Sequence, residues 1–459
     1  MTSLAYGKGT YRRQAAGVPE LRLVNMLVEA SATSQDGVVL IGRPGMVQDR
    51  TIGDGPIRGL FHQDGTLSDT VFAVSGVNLW GASDLGVVEG IGPVSFAASA
   101  SELVVAAGGH MRRTDGTTAA DVAFPDDAGV TAVDYMGGYF IAVRAGTHRF
   151  YWSKLRDATS WDALDYASAE SSPDPLLDVV VTGDVMWLLG TASIEPWQIT
   201  GDAILPFSRV EGRTYQRGVL ATGCAAALDN SLFWIGDDKR VYRSASSPEG
   251  LSDPGVEERI GRSSAVSAFA YEYEGHKFFA VRLDTETLLF DVATQEWFEP
   301  ASFGIANWRA RCSTMVKGRP LLGDDRSGVI WRLQDDRYTD DGTPIQKLFT
   351  AFQPVSDGSY AVDVIHLDAD FGSTPVLEGQ GSDPVVEIRT SRDGGRTWTE
   401  WRQSTLGKQG QYRARAMWRR FGSFDAPGAI FEIRCSDPVR FRISAVRSNE
   451  AQGGRSRGS

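Results

Sequence analysis

The sequence predicts an all-β protein: a six- or seven-bladed β-propeller, an additional C-terminal antiparallel β-sandwich domain, and an N-terminal extended arm. Three observations carry that expectation. Short runs rich in Val, Phe, Tyr and Trp are broken by Gly, Asp and Asn turns, with almost no stretch of helical periodicity. A unit of apolar strand, turn, second apolar strand and third strand ending in an aromatic recurs about every 35 to 47 residues, the size of a four-stranded blade. After Leu333 the texture changes to longer, cleaner strands behind a polar connector.

Taken in order, residues 1–50 hold many polar and small side chains, too few apolar ones for a core of their own, and read as an arm and docking segment. Residues 51–335 carry the repeats. The clearest are "GLFHQDGTLSDTVFAVSGVNLW", "VSFAASASELVVAAGGHMRR", "VTAVDYMGGYFIAVRAGTHRFYW" and "LLDVVVTGDVMWLLGTASIEPWQI", followed by "GVLATGCAAALDNSLFWIGDDKRVYR", "VSAFAYEYEGHKFFAVRLDTETLLFD" and "ARCSTMVKGRPLLGDDRSGVIWRL". A blade buries its sheet against both neighbours, which accounts for the apolar inner strands and the tolerance for a polar edge. A β-sandwich or β-helix of similar spacing is the alternative. Residues 336–447 contain "VDVIHLDADF", "PVVEIRTSRDGGRTWTEWRQ", "YRARAMWRRFG" and "AIFEIRCSDPVRFRISAV", the strands of the sandwich. Residues 448–459 have nothing to bury and read as a flexible tail.

At 459 residues and 42% hydrophobic, the chain is long enough for two or three packed domains. A net charge of −12 argues against general nucleic-acid coating, which Lys and Arg drive. The charge is uneven: Trp401 to Ser459 holds 12 Arg or Lys against 4 Asp or Glu, leaving the excess of acid on everything before it. In "YRARAMWRR" a period of two sets Arg413, Arg415 and Arg419 opposite Ala414, Ala416 and Trp418, one face arginine and the other packed. Three distant cysteines, with no CxxC pair, indicate neither a disulfide framework nor a zinc site. The first residues lack the apolar run of a signal peptide, and no stretch approaches the ~18 apolar residues of a membrane span.

Chemical motifs are few. Ser391, Asp393, Gly395, Thr397 and Trp398 form Ser-x-Asp-x-Gly-x-Thr-Trp, the Asp-box turn of sialidase-like propellers. Its physics is local: the carboxylate accepts backbone N–H bonds across a glycine-containing hairpin. It reads as a structural turn, and it stands outside the repeats. A glycosidase needs two carboxylates flanking a bond, and nothing singles out a pair among 58 acidic residues. The doublets Asp237-Asp238, Asp324-Asp325, Asp335-Asp336 and Asp340-Asp341 lack the alternating ladder of a calcium loop. Five scattered histidines give no metal spacing. "GRSRG" fits Gly-x-Ser-x-Gly only formally, since it lies in the tail. No phosphate-binding glycine loop follows a strand. No catalytic residue, metal or cofactor is implied.

The order of motifs is more informative than any one of them. "LRLVNMLVEAS", "LIGRPGM", "FYWSKLRDATSWDALDYASAESSPDPLLDVVV", "GTASIEPWQITGD", "YEYEGHKFFAVRLDTETLLFDVATQEW", then the Asp-box, "WRRFG" and "VRFRISAV" form a series. It resembles the packaged-DNA stabilization proteins of short-tailed bacteriophages, the head-completion, tail-hub or nozzle family, over nearly the whole chain. The resemblance implies a propeller-containing virion subunit, made in the host cytoplasm, with no reaction to catalyse. It implies a homo-oligomeric ring, usually of six copies, beneath the portal and its adaptor ring. That ring extends the channel for double-stranded DNA, helps retain the packaged genome, and carries the tail needle, tailspikes or tail fibres.

By the same resemblance Arg22, Asn25 and Glu29 belong to the family's opening motif, and Arg43, Pro44 and Gly45 to the turn entering the propeller. These six are the candidate adaptor-docking or family-motif residues. An acidic lining keeps a duplex mobile where a basic one grips it; a merely solvated acidic surface is the alternative. A ring needs two different patches per copy that meet and close. An acidic body with a basic terminal sheet supplies them, which makes Arg413, Arg415, Arg419 and Arg420 candidates for a subunit or partner contact. A carbohydrate-binding or sialidase-like propeller is the competing functional reading.

Overall fold

The computed structural model describes every residue except 1, 8, 13–19, 33, 35–36, 170–171, 246, 356–357, 427 and 451–459, with backbone alone at 449–450. The chain forms two compact units: Gln48–Thr285 with Arg309–Arg332, and Met1–Val47 with Glu286–Trp308 and Leu333–Ser459.

The first unit is built of antiparallel sheets in which consecutive strands are neighbours. Ile57–Phe61, Phe72–Ser75, Asn78–Trp80 and Asp84–Val87 make the first four-stranded sheet. The second begins at Ser95–Ala98, the third at Val130–Met136, the fourth at Leu176–Thr182 and the fifth at Ala225–Leu228. The hairpin Val266–Tyr273/His276–Leu283 follows, then Ala310–Val316, Arg319–Asp324 and Val329–Gln334. The inner strands are buried on both faces because each sheet packs on two neighbours, as in a propeller. In Leu103–Ala107, Leu103 and Val105 meet Phe72 and Val74 of the first sheet. Val104 and Ala106, pointing the other way, meet Phe140 and Ala142 of the third. The circle closes where Leu321 and Ile330 pack on Ile57 and Leu60 and the Ile52 N–H donates to Gly328 C=O at 2.7 Å. Among the described residues the only α-helix is Pro254–Arg262, which has Pro in its first turn and Asp253 as N-cap accepting from Gly255 and Val256.

The second unit holds two six-stranded sheets. One runs Met26–Ala30, Val38–Gly42, Arg442–Glu450, Tyr360–Ala369, Ala416–Phe424, with Thr2–Ser3 also on Arg442–Glu450. The other runs Ala5–Tyr6, Lys347–Pro354, Gly428–Cys435, Val385–Ser391, Arg402–Thr405, with Leu23–Val24 also on Lys347–Pro354. Phe421 and Phe424 of the first sheet meet Phe431 of the second edge-on, with ring centroids 5.4 and 5.7 Å apart.

Residues 1–50, read as an arm, are here largely strands of this sandwich, and Leu4, Leu23, Met26 and Leu40 are fully enclosed. Their average composition is too polar for a core of their own. Alternation along each strand nevertheless gives them one apolar face, and sheets from the far end of the chain cover it. The tail expected from 448 is strand through Glu450; beyond that it lies outside the described residues.

Candidate functional site

The candidate family-motif residues converge, with one exception. Asn25 sits between two short strands with φ of +53°, a left-handed conformation that Asn tolerates better than most residues. Its Oδ1 accepts from Arg43 Nε at 2.7 Å and from the Ala301 N–H at 2.8 Å, and its Nδ2 donates to Gln346 C=O at 2.8 Å. Arg43, 4% exposed, also pairs both terminal nitrogens with Asp340, reaches Pro44 and Ala301 carbonyls, and lies 5.8 Å from the centroid of the Trp308 ring. A buried guanidinium is tolerated only when its donors are satisfied in this way. Gly45 must be glycine here: a Cβ would stand against Thr339 O and 2.8 Å from Arg337 O. Arg22 pairs with Glu299 at 3.3 Å, and Glu299 also accepts from the Thr10 hydroxyl at 2.6 Å. Glu29 is partly exposed on Met26–Ala30, outside this knot. The sequence singles out Asp340 only as half of the Asp340-Asp341 doublet and Glu299 not at all, since nothing local marks either as the partner of an arginine.

The Asp-box closes on itself. The Asp393 carboxylate accepts from the Arg396 and Thr397 N–H groups at 3.0 and 2.9 Å and from the Thr397 and Ser391 hydroxyls at 2.6 and 2.8 Å. These bonds hold its pKa down at about 2. Gly395, at φ +99°, supplies the turn. Trp398 enters a stack: Arg389 lies 4.5 Å from the Trp398 centroid and 4.6 Å from that of Trp401, whose ring also carries Arg434 at 3.8 Å. Glu432 and Glu387 neutralise Arg389 and Arg434. Carboxylate, aromatic rings and arginines are thus occupied with each other.

Arg413, Arg415, Arg419 and Arg420 are all exposed, and among the described residues no ion pair is found for them. Only Arg419 and Arg420 lie on a strand, since Ala416–Phe424 starts after the other two. A bulge opposite Val362/Val364, with Arg420 at φ +64°, sends two successive arginines outward while Trp418 and Phe421 stay buried. The strict two-residue alternation expected for this segment therefore stops at Arg419.

In the propeller, side chains of successive first strands reach the neighbouring backbone. Ser95 Oγ accepts from Val133 N–H, Asp134 from Val181 and Asp178 from Gly223, at 2.9, 2.7 and 2.9 Å. Cys224 donates to Val266 C=O, Ser313 to Ala270 C=O and Cys312 to Ile57 C=O. Arg58 donates to Gly92 C=O and completes the belt. Desolvation raises the pKa of Asp134 to about 7 and that of Asp178 to about 6. Asp134 keeps some surface by area whereas Asp178 is 6% exposed, so Asp178 is the more enclosed. A lone Asp inside an apolar strand ("TAVDYM", "LLDVVV") is the sequence signal that was available for both. His62, Asp64 and Asp69 draw close enough to hold a cation, but His62 already bonds Asp64 and Thr70 C=O. Among the described residues no helix is long and apolar enough to cross a membrane.

A closed propeller and a two-sheet sandwich define an all-β protein of two units. Family models agree over almost the whole length: "Bacteriophage P22 Gp10, beta-propeller" matches residues 2–338 and "Bacteriophage P22 Gp10, beta-sandwich" matches residues 346–449. The chain belongs to the bacteriophage P22 Gp10 family, in agreement with the resemblance carried by its order of motifs. It is 24% identical over 343 residues to the tail hub protein gp10 of Salmonella phage P22, covering 68% of this chain and 72% of that one. Among solved structures it is similar to the Cps50 (Swd1) β-propeller domain of Myceliophteria thermophila, with 12% identity, 63% and 100% coverage and TM-score 0.43. It is also similar to the designed protein Ika8, with 14% identity, 72% and 98% coverage and TM-score 0.40.

Proposed function

We propose that this chain is a structural subunit of a bacteriophage tail that assembles as a ring of six copies below the portal and adaptor. There it extends the DNA channel, retains the packaged genome and carries a needle, spikes or fibres. The observation that carries this reading is membership of the P22 Gp10 family across both domains, together with the tail hub relative. The motif residues support a scaffold. Asn25, Arg43 and Gly45 are consumed in holding backbone, so their part in adaptor docking is to shape a surface rather than to offer side chains. The Asp-box is compatible with this reading, because its carboxylate is saturated by its own turn and calls for no substrate.

The test is to incubate the purified protein with DNA-filled heads carrying portal and adaptor and to image the tail vertex. Six-fold density below the adaptor with suppressed DNA leakage is the expected result. Absence of binding, with retained binding of a glycan on an array, would replace the reading with a carbohydrate-binding propeller.

A further inference from the structure

The propeller unit carries a pocket of about 330 Å³ between its first three sheets. Its floor is apolar, from Val105, Met111, Phe124 and Val130, and Val87 on its lip is 56% exposed. Its rim is acidic: Glu89, Asp121 and Asp127 stand around it against Arg112 and His110. Arg112 is engaged by Asp121 at 2.8 Å and His110 lies 3.2 Å from Glu89. An apolar floor with a carboxylate rim fits an apolar or aromatic group flanked by cations.

The sandwich unit presents such a group. In the loop over residues 406–415, Tyr412 is 73% exposed; Arg413 and Arg415, next to it in sequence, are exposed as well, as is Lys408, which lies 3.7 Å from Asp383. The loop is preorganised. Lys408 N–H donates to Gln411 Oε1, Gln411 N–H to Lys408 C=O, Ala414 N–H to Gln411 C=O and Gly410 N–H to Gly372 C=O, all within 3.1 Å. Gly407, at φ +84°, lies so close to Ala414 that a Cβ would come within 2.9 Å of it. A hydrogen-bonded turn that holds a tyrosine out in water beside two arginines loses little entropy on docking. Tyr and Arg are also the residue types that dominate interface energetics.

The geometry points to a head-to-tail contact between two copies of this chain: Tyr412 of one copy enters the apolar pocket of the next, with Lys408, Arg413 and Arg415 over Glu89, Asp121 and Asp127. The pocket volume is ample for an aromatic ring, and its rim carries three carboxylates against Arg112 and His110, a net charge opposite to that of the arginines beside Tyr412. Two unlike patches on one chain are what a heterologous, ring-closing interface requires. Arg419 and Arg420, exposed on the nearby strand, extend the cationic edge beyond the anchor. This rests on the ring reading above and specifies which surfaces meet.

The test uses tailed particles built from the full chain with a benzoylphenylalanine photo-crosslinker at position 412. Crosslinked peptides between copies that map to residues 87–89, 105–112 or 121–130 support the contact. Crosslinks between copies at other surfaces, with ring density retained, overturn this contact and leave the ring standing; a single copy per tail vertex overturns both. A charge exchange gives a second readout. Arg413→Glu or Glu89→Arg alone is expected to weaken self-association at least tenfold, and the combined exchange to recover most of it; no recovery overturns the pairing. Tyr412→Ala, at an exposed position where folding is insensitive, is expected to weaken association about 30-fold with an unchanged melting temperature.

Discussion

Arg43 and Asp340, 297 positions apart, are joined by two hydrogen bonds, 2.9 Å from Nη1 to Oδ1 and 2.6 Å from Nη2 to Oδ2. Both side chains are nearly enclosed, at 4% and 9% exposure. Removing one partner leaves a buried charge without its counterion, so Asp340→Asn or Arg43→Ala is expected to cost about 3–5 kcal/mol in chemical denaturation. Arg43→Lys is expected to recover little, because an ammonium cannot bridge Asp340, Asn25 and Ala301 together.

The belt of the propeller should make its stability fall as pH rises from about 4 to about 7. Asp134 and Asp178 are acids whose folded pKa values, about 7 and about 6, lie above the usual carboxylate value of 3.8. The folded state therefore binds more protons than the unfolded chain in that window. Their stabilisation is complete below about pH 4 and is lost as pH rises through 6 to 7. Thermal melts from pH 4.5 to 8 should show that decline, and it should flatten in the combined Asp134→Asn, Asp178→Asn variant.

The Asp-box should act in the opposite direction. Asp393 has a folded pKa of about 2, below its unfolded value, so its contribution is present above about pH 4 and disappears as pH falls toward 2. Hydrogen exchange of the Arg396 and Thr397 amides is the direct readout. Asp393→Ala should unprotect both at neutral pH while leaving the core strands of the sandwich protected.

Stacking of Arg389 between Trp398 and Trp401 should be visible in fluorescence. Arg389→Ala is expected to shift tryptophan emission to longer wavelength and to cost about 3–5 kcal/mol, from two lost cation–π contacts and a Glu432 left buried without its counterion.

The three thiols should be inert in the folded protein. Burial raises Cys224 and Cys312 to about 12 and Cys435 to about 11, so thiolate is scarce at pH 8. A thiol-specific dye should label none of them within minutes under native conditions and all three after denaturation.

The blade sheets were legible because their signals are local: "LVVAA" is apolar throughout because both its faces are buried, and the turns after it carry glycine. The pairing of the first 50 residues is not legible, for the opposite reason. Leu23 and Val24 pair with Phe349 and Leu348, and no window around residue 23 contains that partner. The same distance hid Asp340 from Arg43 and Glu299 from Arg22. At the arginine face, all four cations are exposed. The bulge at Arg420, which breaks the alternation, depends on a local backbone twist that the residue types alone do not encode.

Thr2 and Ser3 pair with Ser448 and Arg447, and this has a consequence during synthesis. A ribosome adding 5–20 residues per second needs on the order of tens of seconds to deliver the second partner after the first. Through that interval the propeller sheets can close, while Leu23, Met26 and Leu40 remain uncovered. A chain terminated before residue 442 would never complete that sheet and would stay exposed to proteases and chaperones. The pairing thus makes closure of this sheet wait on strands more than 400 residues apart in sequence.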